Sequence, residues 1–392
     1  MALITGPAGI ALIGQFSNFF AAVGAFSNGA INNGVVKYTA EYNDDESKRS
    51  SLFSTSLKLS FYLSILVSIL IWLFARPISV LLFNSAIYAT PVKVLAFSIV
   101  FYSVNSVLIA IINGQKNIRL YTAINTVGSI ISLVTTVLLV KLYKVDGALY
   151  AIILSQSLSI FTTLALLRKT HWLSPSLIRI PLNKQHIKKL SHFSLMTIVS
   201  TACVPITQIA LRKIAMISYG ENAAGYWQGM MRISDGYLLI ATTALSTYYL
   251  PQLSSITKRS VLNKEMKDGY IKLLPIVVIS AVIIYLSRYA IINVLYSANF
   301  ILMEKLFFFQ LLGDVLKISS WFMAFVMLAK AMTKMYIITE ILASLSYIAL
   351  CIVFSKHFGI VGFTIAFAVN YLLYNILIVF LYFKYMIKEY RD

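Results

Sequence analysis

Apolar residues in this chain come in long unbroken runs, separated by short polar breaks. The runs fall near residues 8–36, 52–74, 90–112, 120–140 and 147–167, then 191–211, 224–250, 270–290, 306–329, 335–355 and 360–383. Each is long enough to cross a hydrocarbon core, which takes about 20 residues in helical form. In lipid a segment must satisfy its own backbone hydrogen bonds, so runs without alternation predict helices and not barrel strands. The expectation is an all-α polytopic membrane protein with about eleven transmembrane helices in two bundles. A basic segment from Arg168 to Lys189 separates them, giving an amino-terminal lobe over 1–168, a linker over 169–189 and a six-helix carboxyl-terminal lobe over 190–392.

The distribution of Lys and Arg orients the spans. Alternate breaks carry Lys48 and Arg49; Lys116 and Arg119; Arg168, Lys169, Arg179, Lys184, Lys188 and Lys189; Lys258, Arg259, Lys264 and Lys267; and Lys330 and Lys334. The tail adds Lys384, Lys388 and Arg391. The other breaks hold few, such as Arg76, Lys141, Lys144, Arg288 and Lys356. By the positive-inside rule the first set is cytoplasmic. The net charge of +19 therefore orients helices and does not signal nucleic acid. Composition agrees: 59% of residues are hydrophobic and 12% charged, against roughly 45–50% and 25% in ordinary globular chains. Cys203 and Cys351 lie inside spans and show no disulfide or metal spacing, and His171, His186, His192 and His357 are scattered.

The chain repeats. At an offset of 215, Arg119 meets Lys334, Tyr121 meets Tyr336, Lys141 meets Lys356, Gly147 meets Gly362 and Ala151 meets Ala366. One residue further, Gly6-Pro7-Ala8-Gly9 falls on Asn222-Ala223-Ala224-Gly225. Parallel repeats of helical bundles are a known transporter design. The span 191–211 has no partner in the first half, so the expectation is a twelve-helix plan lacking its first helix, or a start upstream of Met1.

Polar residues inside the spans are the functional candidates. Gln228, Arg232 and Asp235 stand at i, i+4 and i+7 on one helix, and Gln310, Asp314 and Lys317 at the same spacing on another. Milder stripes are Thr201, Gln208 and Arg212; Asn125, Ser129, Ser132 and Thr136; Glu340, Ser344 and Tyr347; and Asn28 and Asn32. Facing lipid, Arg232, Asp235, Asp314, Lys317 and Glu340 would together cost roughly 12–17 kcal/mol. They must face water or one another. Arg232 with Asp235, and Asp314 with Lys317, are i, i+3 neighbours that could pair locally and staple helices; Glu340 has no such neighbour. The Ser, Thr and Asn stripes are expected to glue helices together. Pro205 and Pro275 are expected to kink or break theirs. No phosphate loop, metal-binding helix motif or nucleophile elbow occurs, so no enzyme activity and no cofactor is expected.

Several stretches together resemble a known family. Gly6-Pro7-Ala8-Gly9, Asn33-Gly34-Val35-Val36-Lys37-Tyr38, Gly225-Tyr226-Trp227-Gln228-Gly229, Ile233-Ser234-Asp235 and Gly313-Asp314-Val315-Leu316-Lys317 are similar to the Wzx-type flippases of O-antigen and enterobacterial common antigen, in the multidrug/oligosaccharidyl-lipid/polysaccharide exporter superfamily. The resemblance implies twelve helices in two lobes around a cationic cavity. It implies alternating-access movement of an undecaprenyl-pyrophosphate-linked oligosaccharide across the bacterial inner membrane. It further implies a proton or other ion gradient, membrane lipid, and a polysaccharide polymerase and chain-length regulator as partners. On that reading Arg232, Lys317, Gln228, Gln310 and Arg212 hold substrate, and Asp235, Asp314 and Glu340 couple or tune charge. Two other classes stay open: a multidrug or cation exporter of the same superfamily, and a membrane polysaccharide polymerase or glycosyltransferase.

Overall fold

The computed structural model describes residues 13, 16, 17, 19–83, 85–168, 170, 172, 173, 177, 179–296 and 298–385. Gly6-Pro7-Ala8-Gly9, the first residues of the 8–36 span, and Lys169, His171, Lys388 and Arg391 lie outside them. The described residues are helical, with no sheet among them.

Two compact units divide the chain, Met1–Thr197 and Ile198–Asp392. In the first, residues 19–27 are helical and lead to α1 (Asn32–Glu41). There follow α2 (Glu46–Leu73), α3 (Ala75–Phe83), α4 (Ala89–Gly114) and α5 (Ile118–Leu167). Helix α6 (Lys184–Ala244) begins in the first unit and ends in the second. The second unit continues with a π turn (Leu245–Tyr249), α7 (Leu250–Ser255), α8 (Arg259–Leu286) and α9 (Arg288–Leu295). A 3-10 segment (Ala298–Leu306) leads into α10 (Phe307–Ala329), then α11 (Thr333–Phe358) and α12 (Val361–Lys384).

Eight helices among the described residues are long and apolar enough to cross a membrane. One of them, α5, has 50 residues, about 75 Å at 1.5 Å per residue, more than twice a hydrocarbon core. It breaks at Lys144, where φ is 53° and ψ −120°, and so supplies both spans read at 120–140 and 147–167. Helix α6 breaks in the same way at Gly220, φ 83°. Pro205 and Pro275 instead lie within continuous helices. The prolines do not end their helices; the breaks in the described chain fall instead at Lys144 and Gly220, where φ is positive.

Each unit is organised around one buried helix. In the first, α4 packs against α1, α2, α3 and α5; in the second, α10 packs against α7, α8, α11 and α12. The most apolar window is 61% buried in α4 and 56% in α10, against 11% in α5. Large apolar side chains elsewhere point outward, among them Leu66, Ile69, Trp72 and Leu73 on α2, as lipid-facing helices require. Phe16, Phe20, Leu95, Ile99 and Leu149 centre the first core. Trp227, Phe307, Phe363 and Phe367 centre the second. The first unit is also joined by neutral hydrogen bonds. Ser27 and Ser103 meet at 2.5 Å, and Asn28 and Asn32 both donate to Ser106, at 3.2 and 2.6 Å. The Asn28–Asn32 stripe thus does glue helices. The Asn125–Ser129–Thr136 stripe leaves Asn125 and Ser129 exposed.

Candidate functional site

Charged and polar side chains gather around α10. Gly313 allows this, since a Cβ there would lie 2.3 Å from the Phe367 ring and 3.2 Å from the Ala368 Cα. The bare glycine lets α12 approach closely and seals the next residue, Asp314, from solvent at 0% exposure. A carboxylate so buried needs donors. Ser234 donates to its Oδ2 at 2.7 Å, Tyr237 donates to the same oxygen at 3.0 Å, and Gln310 Nε2 donates to Oδ1 at 3.3 Å.

None of those donors is the lysine one turn along. The half-buried Lys317 lays its ammonium 4.8 Å from the centroid of the Trp321 ring. Among the described residues neither Asp314–Lys317 nor Arg232–Asp235 forms an ion pair. The local-pairing alternative therefore fails for both. Two hydroxyls from the neighbouring helix satisfy Asp314 without bending the Lys317 stem back, and Lys317 takes an aromatic face instead.

Glu340 is half-buried on α11. Lys317 is the cation whose field reaches it, and the same field reaches Asp314. Glu340 in turn acts on Tyr336, Tyr371 and Tyr374. Tyr336 meets the Ser200 hydroxyl at 2.7 Å. Glu340, Asp314 and Asp235 all contribute to the negative field at Tyr371 on α12. The structure thus bonds Gln310 to Asp314 and sets Glu340 in the field of Lys317.

The rest stand apart from the Asp314 cage. On residues 221–244 of α6, the packed face runs through Trp227, Met231, Ser234, Leu238 and Ala241. Arg232 and Asp235 are exposed on another face and Gln228 is half-buried. Arg232 acts on Tyr296, whose hydroxyl donates to the Gly229 carbonyl at 3.1 Å. Arg212 is exposed on the preceding segment of α6. Among the described residues no group of three or more His, Cys, Asp or Glu is placed to hold a metal ion.

Sequence reasoning missed Ser234, Tyr237 and Tyr371. A signal for the first existed: Ser234 is the one hydroxyl in an otherwise apolar helical stripe, and such a residue needs a polar partner across the interface. Chemically the Asp314 cage can exist in two protonation states. The ionised carboxylate accepts from three donors. Gln310 Oε1 is buried and has no partner among the described residues. If the amide turns over, that oxygen can accept from a protonated Asp314.

Comparison with known proteins supplies the context. The model of a family described as polysaccharide biosynthesis protein matches residues 12–305. The lipid III flippases of Escherichia coli (strain K12) and Shigella flexneri are each 29% identical over 378 residues, covering 95% of this chain and 90% of the relative. An outward-facing multidrug resistance MATE family transporter of the MOP superfamily matches with a TM-score of 0.83 at 17% identity, over 98% of this chain and 88% of the other. A MOP superfamily transporter from Pyrococcus furiosus matches with a TM-score of 0.85 at 17% identity, over 98% and 89%. At that identity the two structures establish the fold alone, that of a polytopic all-α membrane protein.

Proposed function

For a chain that belongs to the polysaccharide biosynthesis protein family, we propose the work of a flippase: it moves a polyprenyl-pyrophosphate-linked oligosaccharide across the bacterial inner membrane by alternating access. The observation that carries this reading is the reach of the likeness to the lipid III flippases, 95% of the chain.

The chemistry of that cargo assigns roles. A pyrophosphate cannot cross hydrocarbon unassisted, and a cation that accompanies it offsets the cost of desolvation. Arg232 forms no ion pair among the described residues, and its guanidinium fork can hold two phosphate oxygens at once. Lys317 supplies a second cation without an ion pair among the described residues, and Arg212 a third. Gln228 offers amide hydrogen bonds to phosphate or sugar. Gln310, fully buried against Asp314, acts through that carboxylate. Asp314 is the group we assign to the coupling proton: it sits next to Lys317, and each proton it takes up changes the local balance against that cation. Asp235 and Glu340 tune the same field. The energy source is then a proton gradient, and the working partners are a polysaccharide polymerase and a chain-length regulator.

The test is surface glycan in a strain lacking its own flippase, with protein level checked by blot. Arg232→Lys should keep part of the activity, while Arg232→Gln and Lys317→Gln should each lose most of it. Asp314→Asn, nearly isosteric, should accumulate normally and lose transport. Wild-type glycan from all three neutralised variants would remove the cation and proton roles together.

A further inference from the structure

A second cationic cluster lies in the first unit, at the basic end that the positive-inside rule assigns to the cytoplasm. Helix α1 has ten residues, and most of them are buried. Lys37 is among them at 5% exposure, which is costly for an ammonium without a partner. Its partner is Glu41, one turn on and at the surface. Its nitrogen also stands 3.9 Å from the centroid of the Tyr38 ring.

Another lysine shares that ring. Lys189, in the first turns of α6, sits 5.2 Å from the Tyr38 centroid and 5.3 Å from that of Tyr42. The two ammonium groups are therefore within about 9 Å of each other. Gly34 makes the approach possible: a Cβ there would touch Leu190 and Phe193 at 3.0 Å, so only a glycine lets α6 lie this close to α1. Lys189 finds a neutral partner, the Tyr42 hydroxyl at 2.7 Å. Tyr42 in turn stacks on Tyr38 and touches the His186 ring, at centroid distances of 5.8 and 5.9 Å. His186 is 5% exposed, and its Nδ1 has no partner among the described residues.

The count of charges is uneven. Lys37 and Lys189 both stand over the Tyr38 ring, and Glu41 contacts Lys37. A pure staple would need only Lys37 and Glu41. Among the described residues Lys189 adds a half-buried cation with no ion pair, and His186 adds a buried nitrogen with no hydrogen-bond partner. Exposed Lys184 and Lys188 flank the site on the same helix. Asp45, a few residues past α1, accepts from Lys48. Among the described residues Lys189 forms no ion pair, and an anion can reach it from the surface end where Glu41 stands.

We propose that Lys37, Lys189 and the Tyr42 hydroxyl form a docking site for a lipid-borne phosphate at the basic end of the first unit, with Glu41 holding Lys37 until that phosphate displaces it. The site rests on the flippase reading only for the identity of the lipid, a polyprenyl diphosphate. Its residues belong to the first unit, where Arg232 and Lys317 belong to the second, and it would act first, capturing the head group while its tail remains in the bilayer.

The experiment measures binding, not transport. The full chain in nanodiscs of zwitterionic lipid is titrated with a polyprenyl diphosphate, and the unphosphorylated polyprenol and inorganic pyrophosphate serve as separate probes. Lys37→Gln and Lys189→Gln should each weaken diphosphate binding about tenfold, the worth of one charge-assisted hydrogen bond. Lys189→Arg should retain most of it. Glu41→Gln should tighten binding, because it frees Lys37. If the pair is only a staple, Glu41→Gln and Lys37→Gln break the same contact and must weaken binding alike; that result, or wild-type affinity in both lysine variants, overturns the site. Inorganic pyrophosphate bound as tightly as the lipid overturns the lipid-borne assignment, and polyprenol bound as tightly overturns the phosphate. A wild type that binds diphosphate through Lys189 yet restores no glycan would sink the flippase reading and leave the site standing.

Discussion

The two units share a frame and differ in charge. The offset of 215 that pairs Lys141 with Lys356 also pairs the backbone irregularities. Lys116 (φ 58°) matches Ala331 (φ 55°), and Lys144 (φ 53°) matches Gly359 (φ 59°). A Cβ on Gly147 would strike the Leu139 carbonyl, and one on Gly362 would strike that of Phe354, again 215 positions apart. The last residues of the two central helices, Gly114 and Ala329, keep the same spacing. Side chains do not follow. Gln310, Asp314 and Lys317 on α10 correspond to Leu95, Ile99 and Tyr102 on α4. Asp314 and Ile99 are both 0% exposed, one caged by three donors and one packed in hydrocarbon. A repeated backbone therefore sets where a buried position falls, and the cross-helix partners decide whether it can carry charge.

The harshest way to break this comparison is Ile99→Asp. No donor cage awaits a carboxylate there, so the penalty should exceed the roughly 1–3 kcal/mol of an unsatisfied buried polar group, and the protein should fail to accumulate. A melting temperature equal to wild type in detergent would mean the first unit can host a charge after all. Gly313→Ala should cost about 1–3 kcal/mol, because the added methyl overlaps Phe367, while Ser98→Ala at the matching position of α4 should cost less. Equal melting shifts would show that α12 gives way and that the seal over Asp314 is soft. The smallest effect concerns the matched turns. Lys144 holds a conformation that strains any residue with a side chain, so Lys144→Gly should gain about 1 kcal/mol, and Gly359→Lys should lose a similar amount. Two shifts of the same sign would mean the turns are not equivalent.

Much of the frame was legible in the sequence. Residues 120–140 and 147–167 read as two spans because polar Lys141, Lys144 and Asp146 interrupt the apolar run, and Gly147 with Gly362 marked the repeat. The site was legible only along single helices. Helical spacing put Gln310, Asp314 and Lys317 on one face, and it suggested local pairs. It could not reveal that Ser234 and Tyr237 from another helix would take Asp314, because periodicity carries no information about neighbours across an interface. Lys37 was hidden for the opposite reason. Lying just past the end of a span, it reads as an ordinary interfacial lysine, and only the fold shows it buried beside Lys189.

The turn at Lys144 and its counterpart at Gly359 bear on how the chain is made. In each, one non-helical residue separates two apolar helices, and the glycine three places on is already pressed against the turn before it. Such a pair has no slack with which one helix could wait in the bilayer while the other is still being synthesised. Such turns favour insertion of each helix pair as a hairpin, and a tag or protease site placed at either turn should lower the amount of protein that reaches the membrane.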